Sequence, residues 1–154
     1  RVSNMMVSTR GRYALRVMID IAEHGENSSI PLKDIAIRQD ISQKYLESIM
    51  TVLSKKELVQ GIHGKGGGYS LTRKPSEYSI GEILRSTEGS LAPVACLECG
   101  ASTCDRAVEC KTLPMWGKLD FLINQYLNHT TLDDLVKNSL DEAFKNLDWL
   151  KLKS

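Results

Sequence analysis

The four cysteines of this chain lie close together, and thiolates at their spacing could bind a metal. All of them fall within 15 of the 154 residues, with gaps of two, four and five residues between neighbours. Four thiolates in so short a loop can surround one zinc ion or an iron–sulfur cluster, and the residue types do not separate these cofactors. The charges of Arg106 and Lys111 are expected to favour the thiolate form. The predicted metal ligands are Cys96, Cys99, Cys104 and Cys110.

Two other interpretations of the cysteines stay open. Cys96 and Cys99 form a Cys-x-x-Cys pair, which is also typical of thiol redox sites, although no thioredoxin-like βαβ pattern surrounds it. The thiols could also be free or disulfide-linked. A bunch of cysteines in a cytosolic protein is more often a metal or redox site than a set of structural disulfides.

A second group of polar residues, at positions 42–48, could read DNA bases. The major groove of B-DNA admits one α-helix, and a reading helix needs short polar side chains on its exposed first turns. Gln43 could pair with adenine, Lys44 with guanine or a phosphate, and Glu47 with cytosine. Tyr45 could reach a phosphate or a thymine methyl group, or could instead belong to the core. The predicted contacts here are Ser42, Gln43, Lys44, Tyr45, Glu47 and Ser48.

Two further segments could hold the DNA backbone. Arg10 and Arg12 lie at the start of a predicted helix, where the positive end of the helix dipole favours phosphate. In segment 63–67, glycines free backbone amides beside a histidine and a lysine, so this loop could approach a sugar-phosphate edge or a minor groove. It lacks the spacing of a nucleotide-binding P-loop. The predicted contacts in this loop are His63, Lys65, Gly66 and Gly67.

The elements that must position these residues follow from the apolar spacing. Apolar residues recur at helical intervals in three stretches within residues 9–53, and a turn at Asp40 separates the second stretch from the third. Ser42 can cap the third helix. Two short strands, at 57–63 and 69–72, then form a hairpin around the glycine loop. The sequence therefore predicts a mostly α fold in which a β-hairpin wing follows a helix-turn-helix.

The second half of the chain predicts a helix that pairs with another helix. Ser79 can cap a short helix that ends at Gly89, and Thr131 can cap a later one. Between them, four residues recur at heptad-like intervals on a helix that continues to about Leu127. The residues of this apolar seam are Trp116, Leu119, Ile123 and Tyr126. A final helix is predicted near the C-terminus.

The charges also divide the chain into two halves. Residues 1–75 hold 12 Lys+Arg and 7 Asp+Glu, whereas residues 76–154 hold 8 and 12. A basic first half suits a polyanionic partner. We expect a winged helix-turn-helix DNA-binding domain at 6–75, a linking helix at 76–92, a cysteine-rich cluster loop at 93–114, and a dimerisation helix with C-terminal helices at 115–154.

Several classes of protein are disfavoured by the sequence. No apolar run of about 18 residues predicts a membrane span, and no signal peptide is visible, so we expect a cytoplasmic protein that begins naturally at Met6. No acid–base or nucleophile set stands out by spacing, so we expect no catalytic residues and no enzyme.

Several motifs resemble those of the Rrf2 family of winged-helix regulators. Segment 8–15 (STRGRYAL) is similar to its N-terminal signature, 41–47 (ISQKYLE) to its recognition helix and 64–69 (GKGGGY) to its wing. Cys104, Cys110 and Trp116 are similar to its cluster loop and to the start of its dimer helix. The resemblance covers about residues 6 to 138.

The resemblance implies a homodimeric transcription regulator that binds a palindromic operator in bacterial double-stranded DNA and associates with the nucleoid. In the IscR branch it also implies a [2Fe–2S] cluster on three cysteines and a histidine. Cys104 and Cys110 match two of those cysteines, and the first is either Cys96 or Cys99. The expected function is a regulator that senses cluster, iron or redox status.

The sequence departs from the family pattern at three positions. Leu113 replaces the cluster histidine, so the fourth ligand is open between the extra cysteine, a carboxylate such as Glu98 and a group outside the loop. Arg12 replaces the aspartate ligand of the NsrR branch, and His63 replaces the wing arginine. Segment 81–94 resembles the CymR branch, which lacks the cysteine loop and implies control of cysteine metabolism through a partner enzyme. A zinc-stabilised regulator and a thiol-redox regulator without a cluster also stay open.

Overall fold

A computed structural model describes residues 7–26, 28–98 and 104–145. Its helices are α1 Thr9–His24, α2 Leu32–Gln39, α3 Gln43–Lys55, α4 Ile80–Glu88, α5 Leu113–His129, α6 Leu132–Val136 and α7 Leu140–Lys145. Its strands are β1 Val59–Ile62 and β2 Gly68–Leu71, and short 3-10 turns cover Pro75–Glu77 and Ala95–Leu97. The predicted mostly helical fold with a two-stranded antiparallel hairpin is confirmed. Within the described ranges, every helix is too short or too polar to span a bilayer.

Serine hydroxyls cap the first and third helices, and the cap of α3 is the one that the sequence predicted. The Ser8 hydroxyl accepts a hydrogen bond from the Gly11 amide at α1, and the Ser42 hydroxyl accepts one from Tyr45 at α3. Asp40 takes the left-handed conformation (φ 52°), which turns the chain sharply between α2 and α3. Pro31 lies at the N-cap of α2, one residue before the first helical residue Leu32. Ser8, Pro31 and Ser42 therefore mark where α1, α2 and α3 begin, and Asp40 marks where α2 ends.

One hydrophobic core joins α1, α2 and α3 to α4 and α6. The apolar stripe of α1 is buried against the four buried residues of α3, and Leu132 of α6 packs in the same cluster. Burying each such side chain fully contributes about 1.5–3 kcal/mol. The α4 residues of this core are Ile80, Ile83 and Leu84. The predicted linking helix therefore shares its core with the helix-turn-helix.

The hairpin is fixed to the rest of the fold at its outer strand and at its base. Ile30 and Tyr69 exchange two backbone hydrogen bonds of 2.8 Å, which joins β2 to the segment before α2. At the base, the fully buried Tyr78 hydroxyl donates to the Leu58 carbonyl (2.8 Å) and accepts from the Thr72 amide (2.9 Å). The Tyr78 carbonyl also accepts from the Leu132 amide of α6. The wing is thus held between α2 and α6.

Candidate nucleic-acid interface and cysteine loop

Helix α3 presents a polar face on the outside of the fold. Gln43, Lys44 and Glu47 are exposed, as is the capping Ser42. On the opposite face Leu46, Ile49, Met50 and Leu53 are buried in the core. The Gln43 amide lies 3.4 Å from the Glu47 carboxylate, so these two side chains restrain each other one turn apart. The arrangement leaves donors and acceptors on one side of a single helix whose width suits a major groove.

Two predicted contacts on α3 are less accessible than the others. Tyr45 is half-buried against the core, with its ring edge-to-face to Tyr13 at 5.9 Å between centroids. Of the two interpretations of Tyr45, the structure favours the packing role for its ring. The half-buried Ser48 hydroxyl donates to the Tyr45 carbonyl at 2.7 Å, so its proton is already engaged within the helix.

The N-terminus of α1 carries two exposed arginines, and its capping serine contacts a half-buried carboxylate of α4. Arg10 and Arg12 are both exposed, and the Arg12 guanidinium donates to the Thr9 hydroxyl at 3.1 Å. The Glu88 carboxylate of α4 accepts hydrogen bonds from the Ser8 amide (3.2 Å) and from the Ser8 hydroxyl. Sequence reasoning missed Glu88 because 80 residues separate it from its partner.

The wing tip is an exposed, tethered turn. His63, Lys65 and Gly66 are exposed, whereas Gly67 is half-buried. Gly66 has φ 78°, a conformation that side-chain-bearing residues rarely adopt. Its carbonyl accepts a 2.7 Å hydrogen bond from the Ser29 hydroxyl, a residue that the sequence did not single out. The tip therefore presents a cation and backbone groups on a turn that is tethered to the segment before α2.

A buried carboxylate connects α1 to the helix-turn-helix turn. Asp20 is 1% exposed, and its carboxylate accepts from the Arg38 guanidinium (2.6 and 3.0 Å) and from the Gln39 amide (2.8 Å). Burial alone would raise the pKa of Asp20, but the hydrogen bonds from Arg38 and Gln39 outweigh burial and lower it. The Gln39 side chain also accepts from Arg16 of α1 at 3.1 Å. This network holds the last turn of α2, and hence the start of α3, against α1.

The cysteine loop presents free thiols. Cys96 and Cys104 are exposed and Cys110 is half-buried, while Cys99 lies outside the described residues. Within the ranges 7–26, 28–98 and 104–145, no three His, Cys, Asp or Glu side chains come close enough to hold a metal ion. The structure therefore does not bring the three described cysteines together as a site.

The pKa of the Cys110 thiol is nevertheless lower than that of a free cysteine. The Thr112 hydroxyl lies 3.4 Å from its sulfur, and this contact, followed by the backbone amides of Thr112 and Leu113 at the start of α5, lowers the pKa of Cys110. Arg106 and Lys111, which the sequence suggested for this role, are not among the causes of the lowered pKa of Cys110. Thiolate is the form that binds metals.

Helix α5 exposes apolar side chains along most of its length. None of its 17 residues is buried, and Met115 and Leu122 are 53% and 39% exposed. They line a groove of about 550 Å³ together with Pro114, Trp116, Lys118 and Leu119. In the predicted seam, Tyr126 contacts Phe144 of α7 edge-to-face at 5.9 Å. The more exposed apolar face therefore lies beside the seam, at Met115 and Leu122.

The sequence of the chain is similar to those of transcription regulators. The model of the Rrf2 family, described as iron-dependent transcriptional regulators, matches residues 7–138. IscR of Pectobacterium atrosepticum is 37% identical over 134 residues, which cover 87% of this chain and 80% of that protein. IscR of Vibrio atlanticus is 36% identical over 135 residues, covering 88% and 77%.

Solved structures agree with the sequence comparison. CymR, the global cysteine regulator of B. subtilis, superposes with a TM-score of 0.74 at 32% identity, covering 86% of this chain and 97% of that one. IscR of T. potens superposes with a TM-score of 0.70 at 35% identity, covering 87% and 88%. Both similarities extend well beyond the winged helix and include most of the described chain.

Proposed function

The chain belongs to the Rrf2 family and is a DNA-binding transcription regulator, and we propose that it reads its operator through α3, the α1 N-terminus and the wing. The observation that carries this proposal is the polar face of α3. Three exposed residues of mixed chemistry lie there on a helix whose other face is locked in the core. Such a helix can enter a major groove without losing its own packing. As the sequence predicted, its relatives are regulators and not enzymes.

Each exposed group at this interface has a role that follows from its chemistry. Gln43 and Glu47 are one turn apart and would present an amide and a carboxylate to base edges. Lys44, Arg10 and Arg12 would neutralise phosphates, and Lys65 would do so at the wing. His63, Gly66 and Gly67 would bring the wing backbone close to the sugar-phosphate edge.

Titration of a random-sequence duplex over a range of salt concentrations tests DNA binding. Wild-type affinity should fall steeply with salt, because each phosphate contact releases counterions. Lys44→Ala should weaken binding at every sequence by about 1 kcal/mol and flatten the salt slope by about one unit. The matched control is Lys145→Ala, an exposed lysine of α7. Equal losses from both substitutions would refute the placement of the interface on α3.

We also propose that two copies of the chain pair through α5. The apolar groove around Met115 and Leu122 is exposed in the single chain, and a second copy would cover it. A twofold pair would present two reading helices to a palindromic operator. Sedimentation of Leu122→Glu should then show a monomer at concentrations at which the wild type is a dimer. Val108→Glu is the control, because Val108 is fully exposed outside α5 and should leave the dimer intact.

The cysteine loop is proposed to bind an iron–sulfur cluster of the [2Fe–2S] type. The donor chemistry fits, since the described cysteines are free thiols and the pKa of Cys110 is lowered. Cys104 and Cys110 would hold the cluster together with Cys96 or Cys99, and Leu113 supplies no ligand. A bound cluster would supply sensitivity to iron and redox status. The Thr112 hydroxyl, 3.4 Å from the Cys110 sulfur, would help Cys110 to lose its proton when it binds the cluster.

Iron and sulfide analysis of anaerobically purified protein tests the cluster. A brown protein with equal iron and sulfide is expected, and Cys110→Ser should lose both. A colourless protein with zinc would support the zinc-stabilised alternative. A mass change at Cys96 and Cys99 after mild oxidation, without metal, would support the thiol-redox alternative.

A second candidate function is control of cysteine metabolism. It is favoured by the superposition on CymR, which covers nearly the whole of that chain. The loop with four cysteines favours the cluster regulator instead. Metal-free protein that binds DNA equally well with and without its four thiols would favour the CymR-like function, in which a partner enzyme would carry the signal.

We propose that the four predicted segments of the chain have different functions. Segment 6–75 would read DNA, 76–92 would link, 93–114 would bind the cluster and 115–154 would dimerise. These are functional segments that share a core, because α4 and Leu132 pack on α1 and α3. A protein with this function would act at the nucleoid, in the cytoplasm.

A further inference from the structure

Helix α4 makes polar contacts with two other helices. The last residue of α4 contacts the N-cap of α1, and a residue near the middle of α4 contacts α5. Arg85 and Glu88 are one turn apart on this nine-residue helix. Glu88 reaches the first turn of α1, and Arg85 reaches the second half of α5. Ile83 and Leu84 on the inner face of α4 are buried in the core, and the helix carries both polar contacts as one rigid segment.

The contact with α1 is made possible by a glycine. The Glu88 carboxylate accepts from the backbone and side chain of Ser8, the residue that caps α1. Gly11 is buried, and a methyl group added to it would overlap the Glu88 carboxylate oxygen and lie 2.9 Å from the Val7 side chain. Glycine at this position, which lies between Arg10 and Arg12 in the sequence, lets Glu88 lie against the first turn of α1.

The contact with α5 has the same construction. The Arg85 guanidinium donates to the Asn124 side-chain oxygen at 3.0 Å and to that of Asn128. Gly81, one turn earlier on α4, is buried, and a methyl group there would overlap the Asn128 oxygen and lie 2.7 Å from Arg85. A second glycine thus admits the polar groups that join α4 to α5.

We propose that Arg85 and Glu88 are positioning residues that transmit the position of α5 to the N-terminus of α1. A shift of α5 pulls on Arg85 through Asn124 and Asn128, α4 moves as a unit, and Glu88 moves with it. The first turn of α1 then shifts, and its two exposed arginines shift with it. The inference deepens the proposed function, because it gives α5 and the adjoining cysteine loop a route to a DNA-contacting segment.

Glycine-to-alanine substitutions test this route without damaging the helices. Alanine favours a helix more than glycine does, and the overlapping atoms at Gly11 and Gly81 are ends of side chains that can swing away. Gly81→Ala should therefore break the α5 contact while the protein stays folded. The matched control is Gly117→Ala on α5, where nothing lies within 4 Å of the added methyl group.

Residue-resolved amide hydrogen exchange is the measurement. Loss of one hydrogen bond should speed local opening about fivefold. Gly11→Ala and Glu88→Ala should speed amide exchange at Ser8 and in the first turn of α1. Glu88→Gln should exchange at the wild-type rate, because its amide oxygen still accepts the hydrogen bonds from Ser8. The decisive variant is Gly81→Ala, which should speed exchange at Ser8 although it lies at the α5 contact. Gly117→Ala should leave that rate unchanged.

Two results would overturn the proposal. One is an unchanged rate at Ser8 in Gly81→Ala, and the other is an equal increase in Gly117→Ala. The exchange experiment needs no DNA, so it tests the coupling of α5 to α1 independently of DNA binding. Failure of the wild-type protein to bind a random-sequence duplex would count against the proposed function alone. With DNA present, Gly81→Ala should also bind that duplex about fivefold more weakly than Gly117→Ala.

Discussion

Two regions of the molecule differ in how much apolar surface they bury. One is the helix-turn-helix with its wing, and the other is α5 with its cysteine loop. Helix α3 buries four apolar residues on one face and leaves the other polar. Helix α5 is longer, yet it buries none of its residues and exposes Met115 and Leu122. The first region is complete in a single chain, whereas the second presents an apolar face that a second copy could cover.

This difference explains how each region holds its functional groups. The reading residues of α3 project from a helix that is locked by the core and by the buried Asp20 network. The described cysteines lie in loop or at a helix start, and no three metal-binding side chains are gathered among the residues that the structure describes. The reading unit is preorganised, and the cysteine loop would be organised by what it binds.

The largest expected effect contrasts one leucine from each region. Leu53→Ala in α3 should lower the free energy of unfolding by about 2–5 kcal/mol, because it opens a cavity in the core. Leu122→Ala on α5 should change the stability of the isolated chain by less than about 0.5 kcal/mol. Urea unfolding at a concentration that keeps the protein monomeric measures both. Equal losses would mean that α5 is as firmly packed as α3.

A smaller effect is expected from the buried carboxylate. Asp20→Asn turns a donor group towards Arg38 and Gln39, which are themselves donors. The free energy of unfolding should fall by about 2–3 kcal/mol, less than for a fully buried pair because Arg38 is partly exposed. Glu23→Gln, an exposed residue of the same helix, is the control. A loss below that of Glu23→Gln would show that the network does not hold α2.

The same carboxylate predicts a pH dependence. Its pKa is lowered in the folded protein, so its contribution to stability is complete above the unfolded value of about 4 and is lost as the pH falls through the lower folded value. Unfolding measured from neutral to acidic pH should show this loss in the wild type. The slope should be shallower in Asp20→Asn, which has no proton to gain.

The smallest effects compare a helix cap from each region. Ser42→Ala at α3 and Thr131→Ala at α6 each remove one capping hydrogen bond, and each should cost about 1 kcal/mol. Only Ser42→Ala should also weaken DNA binding, because it loosens the first turn of the reading helix. Thermal unfolding and duplex titration separate these two consequences. Weakened binding in Thr131→Ala alone would place the reading surface elsewhere.

Much of the fold was predictable because its signals are local. Ser42, Ser79 and Thr131 each cap the helix that the sequence predicted, since the bond spans only three residues. The contact of the His24 ring with the Asp20 carbonyl is equally local, since it spans four residues near the end of α1. The exposed polar face of α3 follows from the spacing of its apolar residues.

Contacts between distant segments were decided by the tertiary structure alone. The Asp20 network, the Ser29 tether of the wing, the Tyr78 hydroxyl and the Glu88 carboxylate all join residues that are many positions apart. No spacing rule relates such residues, because they become neighbours only after the helices have packed. The sequence by itself determined which helices form and which faces are apolar, since both depend on neighbours a few residues away. Packing determined which polar groups meet across helices, since that depends on how the helices pack in space.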